Sequence, residues 1–191
     1  MRPGVPTIGP VLLNPVLALA GRRIDAPGTP PRFPLDRMSA VREELRELLA
    51  GGGTTTLVCS AACGADLVGL DVARKLGLRR RVVLPFSVQA FRESSVVDRP
   101  GDWGQLFDDL IGEARKANDL LLMAGVPGED SAYLHANEAI LDEALRLAGD
   151  PGRAAVCLVW DGRPKGTGDA THAFGESARK RGLRVIDVLT G

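Results

Sequence analysis

A chain of 191 residues is long enough for one domain with a sizeable core, and 45% hydrophobic and 25% charged residues are ordinary for a globular protein. The 24 basic and 24 acidic side chains cancel, which disfavours sequence-independent binding to nucleic acid. Cys59, Cys63 and Cys157 fit neither a disulfide framework nor a zinc site, and no apolar run has the length of a membrane helix, about 20 residues. We therefore expect a cytoplasmic protein without a metal or a cofactor.

Short apolar runs alternate with segments of helical periodicity along the chain. A Pro/Gly-rich arm over residues 1–14 precedes a domain over 15–191. The predicted strands cover 16–20, 57–60, 81–85, 119–123, 154–160 and 184–189. The predicted helices cover 35–50, 66–76, 103–117, 133–147 and 169–181, and residues 86–101 are predicted to form a long polar loop.

This alternation predicts an α/β fold, a Rossmann-like three-layer sandwich with a mainly parallel sheet and helices on both faces. Ligands of such sheets bind beyond the carboxyl ends of the strands, near the point where the strand order reverses. The loops that directly follow strands are therefore the candidates for a binding site.

The first such loop contains Gly21, Arg22 and Arg23. A glycine allows close approach of the backbone to a ligand, and an arginine can bind phosphate or carboxylate with two hydrogen bonds. The alternative is an ordinary surface arginine at a strand end. If Arg22 contacts the ligand, Arg22→Ala weakens binding without unfolding the domain.

The second loop runs from Ser60 to Asp66 through small residues and leads into a helix. Free backbone N–H groups at a helix N-terminus favour a phosphate, and Gly64 keeps that approach open. Asp66 has two interpretations: it caps the helix, which is the favoured one, or it accepts a hydrogen bond from a sugar hydroxyl. Cys63 is either a nucleophile or, more commonly, a small residue that fits.

The third loop, residues 162–172, is rich in glycine and follows the most apolar strand. It lacks the residue order of a Walker A loop and of a dinucleotide fingerprint. Backbone N–H groups around Gly166 and Gly168, together with the Thr171 hydroxyl, still predict a phosphate site at a helix N-terminus. The alternative is a loose loop with Asp169 as the N-cap.

Two further segments give weaker signals. Arg92 follows the third predicted strand, and Tyr133 and Asn137 lie one helical turn apart on the same face of a helix. Tyr133 is the only tyrosine and is able to stack on a base. All three residues fit ordinary surface positions equally well.

Taken in order, these segments resemble the SLOG superfamily over about residues 16–189. The pieces that carry the resemblance are 20–23, 62–66, 84–86, Tyr133 with Asn137, 159–162 and 166–171. The resemblance implies a nucleotide or NAD-derived ligand at the strand ends, and it implies a homodimer that pairs through helices beside the site, with an effector protein as a further partner. The apolar stripes of helices 103–117 and 133–147 suit such pairing or, as the better expectation for any single residue, the core.

The resemblance also extends to the LOG-type phosphoribohydrolases, whose motif places a glutamate after the Gly-rich loop. Here Phe174 stands at that position and Glu176 is out of register. We therefore expect a binding or sensor domain, with hydrolysis of the N-glycosidic bond of a nucleoside monophosphate as the alternative. In that case Asp66, Asp169 or Glu176 would supply the carboxylate. A DNA-processing accessory role is disfavoured by the zero net charge.

Overall fold

The computed structural model describes residues 14–166 and 168–191, so almost all of the predicted arm lies outside the described residues. Six strands form one sheet, and every neighbouring pair is parallel. The strands are β1 (Val16–Gly21), β2 (Thr56–Cys59), β3 (Arg79–Leu84), β4 (Leu120–Leu122), β5 (Ala154–Trp160) and β6 (Arg184–Leu189). The predicted parallel α/β sheet is confirmed, and all six strands lie within two residues of their predicted starts.

The strand order is β4-β3-β2-β1-β5-β6. The chain builds the sheet outward from β1 to β4, then returns and places β5 on the other side of β1. The order therefore reverses between β1 and β5, which pair along six residues from Val16 with Ala154 to Gly21 with Val159. Ligands of open α/β sheets bind in the crevice at such a reversal, so the loops after Gly21 and Trp160 occupy the expected position.

Helices cover both faces of the sheet. They are α1 (Met38–Gly51), α2 (Ala65–Lys75), α3 (Val88–Ser95), α4 (Gly104–Lys116), α5 (Asp130–Ala148) and α6 (Ala170–Lys180). Helices α1 to α4 pack in one apolar cluster, and α5 and α6 pack in a second cluster on the opposite face. The polar loop predicted over 86–101 is wrong in part, because Val88–Ser95 forms α3 with a Ser87 N-cap and buries Phe91 against Phe86 and Phe107.

Strands β1 and β5 form the centre of the core, and their residues are buried on both faces of the sheet. On α4, Leu110 and Ile111 are buried in the first cluster and Leu106 packs against it. The apolar stripe of this helix therefore faces the sheet and is not a free surface for dimerisation. Among the described residues, no helix is both long enough and apolar enough to cross a membrane.

Candidate functional site

Two adjoining cavities lie at the reversal point. The larger is an open cleft of about 590 Å³ between the loop that follows β1 and the N-terminus of α6. The smaller has a volume of about 70 Å³ and lies between β1, the end of β2 and α5. Both are lined by Gly21, Ala170 and Thr171, so they meet at the start of α6.

Arg22 lies under the large cleft and joins its two walls. Its side chain is only 3% exposed, and Nε and Nη1 donate to Asp161 at 3.1 Å and to Asp169 at 2.7 Å. Nη2 donates to the backbone carbonyl of Arg163 at 2.7 Å. Each guanidinium nitrogen is thus bonded within the chain. Arg22 holds the β1 and β5 loops together, which differs from the free phosphate donor that the sequence suggested.

Asp169 occupies the N-terminus of α6. One carboxylate oxygen accepts from the N–H groups of Thr171 and His172, and the other accepts from the N–H of Lys165 at 2.7 Å. These bonds and the Arg22 pair hold the pKa of Asp169 at about 2, against the opposing effect of desolvation. Asp169 is therefore the N-cap of α6, as the alternative interpretation of this loop predicted. Its carboxylate takes the N–H groups that the sequence analysis expected to hold a phosphate.

Gly21 and Gly64 permit the close approach of β1 and α2. A Cβ atom on Gly21 would lie 2.4 Å from the Cβ of Ala65 and 2.5 Å from the carbonyl oxygen of Val159. A Cβ atom on Gly64 would lie 2.8 Å from the carbonyl oxygen of Arg22, and its φ of +100° disfavours any other residue. Both glycines are explained by packing, and Gly64 lines neither of the two cavities.

Positive charge surrounds the large cleft. Its basic lining residues are Arg22, Arg23, Arg32, Arg99 and Lys165. Arg23 donates to Asp98 and to the Ser94 carbonyl, and Arg32 pairs with Asp161 at 2.9 Å. The Lys165 side chain, in contrast, makes no ion pair or hydrogen bond with the described residues. Partial desolvation is the largest cause that lowers the pKa of Lys165, the positive charge of Arg22 lowers it further, and the negative charge of Asp169 opposes the shift.

Asp66 lies at the start of α2 and lines the small cavity. One oxygen accepts from the N–H of Ala62 at 3.1 Å, which closes the loop before the helix. The favoured interpretation of Asp66 as the helix cap is wrong, because Gly64 is the N-cap and no side chain caps the N–H groups of α2. Burial raises the pKa of Asp66 to about 7, although the Ala62 bond and the charge of Arg23 oppose this shift. Burial likewise raises the pKa of Cys63 to about 11, so its thiol is protonated at neutral pH and is a poor nucleophile.

The remaining polar groups of the small cavity are Ser60, Asn137 and Thr171. The Ser60 hydroxyl is shielded from solvent and has no hydrogen-bond partner among the described residues. Asn137 donates from Nδ2 to the Ala170 carbonyl at 3.1 Å, which leaves its carbonyl oxygen without a described donor. The sequence predicted Asn137 and Thr171 as site residues, but it named Ser60 only as the start of the second candidate loop and gave it no role in the site.

Several predicted residues line neither cavity. Arg92 pairs with Asp108 on α4, and Tyr133 packs edge-on against Phe86 beside the hydroxyls of Ser94 and Ser95. Glu176 is exposed on α6 and bonds to Arg179. Cys63 and Gly166 also lie outside the lining of both cavities.

Three basic side chains that line the large cleft were not predicted as site residues from the sequence. Lys165 had a usable signal, because it is the single lysine of the Gly-rich loop. Arg32 and Arg99 had none, since they reach the cleft from a Pro-rich loop and from the segment between α3 and α4. Within the described residues, no group of three or more His, Cys, Asp or Glu side chains is arranged to hold a metal ion.

Comparisons with known proteins give only distant similarities to solved structures. No protein-family model and no curated protein matches the chain. Among solved structures, the molybdenum cofactor carrier protein of Chlamydomonas reinhardtii is 18% identical with a TM-score of 0.34, over 90% of this chain and 89% of that chain. Glucose-6-phosphate 1-dehydrogenase of Mycobacterium avium is 18% identical with a TM-score of 0.22, over 92% of this chain and 36% of that chain. Neither likeness carries a functional argument.

Proposed function

We propose that this chain is a SLOG-like binding domain that recognises a nucleotide or an NAD-derived ligand in the cleft between the β1 loop and α6. The observation that carries the proposal is the ammonium of Lys165, which has no ion-pair or hydrogen-bond partner among the described residues and lines a cleft of about 590 Å³ together with four arginines. A cleft of this size, at the reversal of the strand order, suits a ligand of nucleotide dimensions.

The electrostatics of the cleft favour an anionic group beside Lys165. The lowered pKa of Lys165 reflects partial desolvation and repulsion from Arg22, Arg32 and Arg99. The negative charge of Asp169 opposes this shift. A bound phosphate would supply a negative charge at this point and would form charge-assisted hydrogen bonds. Arg22 and Asp169 already neutralise each other at 2.7 Å, so they position the loop while Lys165 contacts the ligand.

This proposal moves the phosphate away from the position that the sequence suggested. The N–H groups of Thr171 and His172 donate to the Asp169 carboxylate, which competes with any second anion at the start of α6. We therefore place the phosphate next to the Lys165 ammonium, at the rim of the cleft. The role of Asp169 is then to fix the loop that carries Lys165, through the 2.7 Å bond from the Lys165 N–H.

The test is a binding screen of the purified protein with AMP, ADP-ribose, NAD and a cyclic nucleotide. We expect at least one of them to raise the melting temperature of the wild-type protein by mass action. Lys165→Ala removes the ligand contact without touching the Arg22–Asp169 pair, so it loses most of this stabilisation. An equal rise in melting temperature in both proteins would place the site elsewhere.

A second candidate is hydrolysis of an N-glycosidic bond, and Asp66 is the observation that favours it. General acid or base groups work best with a pKa near the operating pH, and the pKa of Asp66 is about 7. The other two candidate carboxylates are less suitable. Both oxygens of Asp169 already accept hydrogen bonds, and Glu176 lies away from both cavities. Release of adenine from AMP by the wild type, and not by Asp66→Asn, would establish this activity. Stabilisation by AMP without base release supports the binding domain.

Assembly as a homodimer and an effector partner belong to the same proposal. Helix α5 has one exposed large apolar side chain, Leu134 at 41%, and the edge of the sheet adds Leu122 at 47%. Light scattering at high protein concentration distinguishes a dimer from a monomer, and a strict monomer would contradict the assembly that the SLOG resemblance implies.

A further inference from the structure

Four polar side chains line the small cavity beside the cleft, and some of their polar atoms lack a hydrogen-bond partner among the described residues. It is lined by Ser60, Asp66, Asn137 and Thr171, together with apolar atoms of β1 and α5. Asp66 and Thr171 are more than nine-tenths buried. Buried polar groups in folded proteins are nearly always hydrogen-bonded, so polar groups that face a cavity without a partner among the described residues favour binding of a polar group there.

Three side chains around the small cavity have polar atoms without a hydrogen-bond partner among the described residues. The Ser60 hydroxyl has no partner among the described residues. Asp66 uses one oxygen to accept from the Ala62 N–H at 3.1 Å, and its second oxygen accepts no bond from the part of the chain that the structure describes. Half-buried Asn137 donates from Nδ2 to the Ala170 carbonyl, and its own carbonyl oxygen accepts no bond from any described residue. The cavity thus offers two oxygen acceptors and two hydroxyls that either donate or accept.

This donor and acceptor set suits hydroxyl groups and disfavours a phosphate. A hydroxyl donates to a carboxylate or amide oxygen and accepts from a serine or threonine hydroxyl. An anion would instead be repelled by Asp66 once that group is ionised. The volume of about 70 Å³ is small on a scale where one water molecule needs about 10–15 Å³. It is large enough for the hydroxyl-bearing edge of a sugar.

We propose that the cavity of Ser60, Asp66, Asn137 and Thr171 is a subsite for the vicinal hydroxyls of a pentose whose phosphate lies in the adjoining cleft. The inference rests on the proposed function for the position of the phosphate. The two cavities meet at Gly21, Ala170 and Thr171, so one sugar phosphate is able to span them. The subsite would make the chain selective for ribo over deoxyribo ligands.

The test compares ribose 5-phosphate with 2-deoxyribose 5-phosphate by titration calorimetry. The wild type binds the ribose compound at least about tenfold more tightly, because only ribose carries the 2-hydroxyl that donates to the oxygen acceptors of the cavity. Ser60→Ala and Asp66→Asn bring the two affinities together. Both variants are expected to fold, because alanine removes an unsatisfied hydroxyl and asparagine keeps an oxygen for the Ala62 N–H. Lys165→Ala weakens both ligands equally and leaves their ratio unchanged.

The outcomes separate the two proposals. Equal affinity for both sugar phosphates, weakened by Lys165→Ala, would uphold the anionic cleft and overturn the sugar subsite. If neither sugar phosphate binds, titration of AMP against the wild type and Lys165→Ala decides the anionic cleft, and free ribose tests the subsite alone. In that case ribose, but not 2-deoxyribose, must move the carboxyl carbon resonance of Asp66 in ¹³C NMR. An unmoved resonance would mean that the cavity holds water only, and would overturn the subsite.

Discussion

Two carboxyl groups at the same sheet edge have pKa values that their surroundings move in opposite directions. Asp66 is desolvated with one backbone N–H as its donor, and its pKa rises to about 7. Asp169 receives three backbone N–H groups and the Arg22 guanidinium, and its pKa falls to about 2. Of the two, only Asp66 changes its charge near neutral pH, so one residue is a titrating group and the other a permanent anion.

The raised pKa of Asp66 predicts a pH dependence of stability. Between pH 3.8 and about 7 the unfolded chain loses this proton and the folded chain keeps it. The free energy of unfolding therefore falls as pH rises through this window, by at most about 1.4 kcal/mol per pH unit. Asp66→Asn removes this contribution, so urea unfolding from pH 4 to 8 shows a flatter profile and a more stable variant at pH 8. Parallel profiles for the two proteins would contradict the raised pKa.

Arg22 and Arg32 form a matched pair for testing the role of the buried ion pairs. Both donate to Asp161 and to the Arg163 carbonyl, but Arg22 is 3% exposed and Arg32 is 28% exposed. Arg22→Ala leaves the buried carboxylate of Asp169 without its cation, which destabilises a protein by about 3–5 kcal/mol. Arg32→Ala is expected to change stability by less than about 1 kcal/mol.

Urea unfolding of the two arginine variants measures this difference. Equal stability of both variants, with ligand affinity lost only in Arg22→Ala, would restore the direct ligand contact that the sequence suggested for Arg22. A large loss of stability in Arg22→Ala supports its role as the link between the β1 and β5 loops.

At the scale of elements, the contact between the β1 loop and α2 depends on Gly64. Gly64→Ala combines a positive φ with an approach of 2.8 Å to the Arg22 carbonyl oxygen. Gly28→Ala is the control, since Gly28 has a φ of +75° and no atom within 4 Å of an added Cβ. We expect Gly28→Ala to cost about 1–3 kcal/mol of backbone strain. Gly64→Ala should cost clearly more in urea unfolding. Equal losses would mean that the loop moves aside and that the packing is not tight.

The elements themselves were largely predictable, whereas the site was predictable only as a region. Apolar runs such as 154–160 and the periodicity of α1 gave correct strands and helices, because burial imposes those patterns locally. Helix α3 was missed because its exposed face is polar and only Phe91 and Ser95 are buried on it. The partners of Arg22 were not predictable, since Asp161 and Asp169 lie 139 and 147 positions away.

At the scale of the whole molecule, the reversal between β1 and β5 collects the functional groups. It brings the loop after β1, the start of α2 and the start of α6 to one edge, as the parallel arrangement predicts. Arg92 and Tyr133 follow β3 and β4, which lie further from the reversal, and they serve the packing of α3, α4 and α5 instead. Distance from the reversal therefore explains why Arg92 and Tyr133 do not line the cleft, whereas Cys63, Gly64 and Gly166 follow strands next to the reversal and still line neither cavity.

The central claim is that the cleft at the reversal binds an anionic nucleotide-like ligand through Lys165. Titration calorimetry of AMP and ADP-ribose against the wild type, Lys165→Ala and Lys180→Ala tests it most directly. Lys180 is exposed at the C-terminal end of α6, the helix that follows the loop of Lys165, and controls for loss of one positive charge. We expect saturable binding to the wild type and to Lys180→Ala, and binding to Lys165→Ala that is weaker by about tenfold or more, the loss expected for a contact of about 1.4 kcal/mol. Equal affinities in all three proteins, or binding of neither ligand, would contradict the claim.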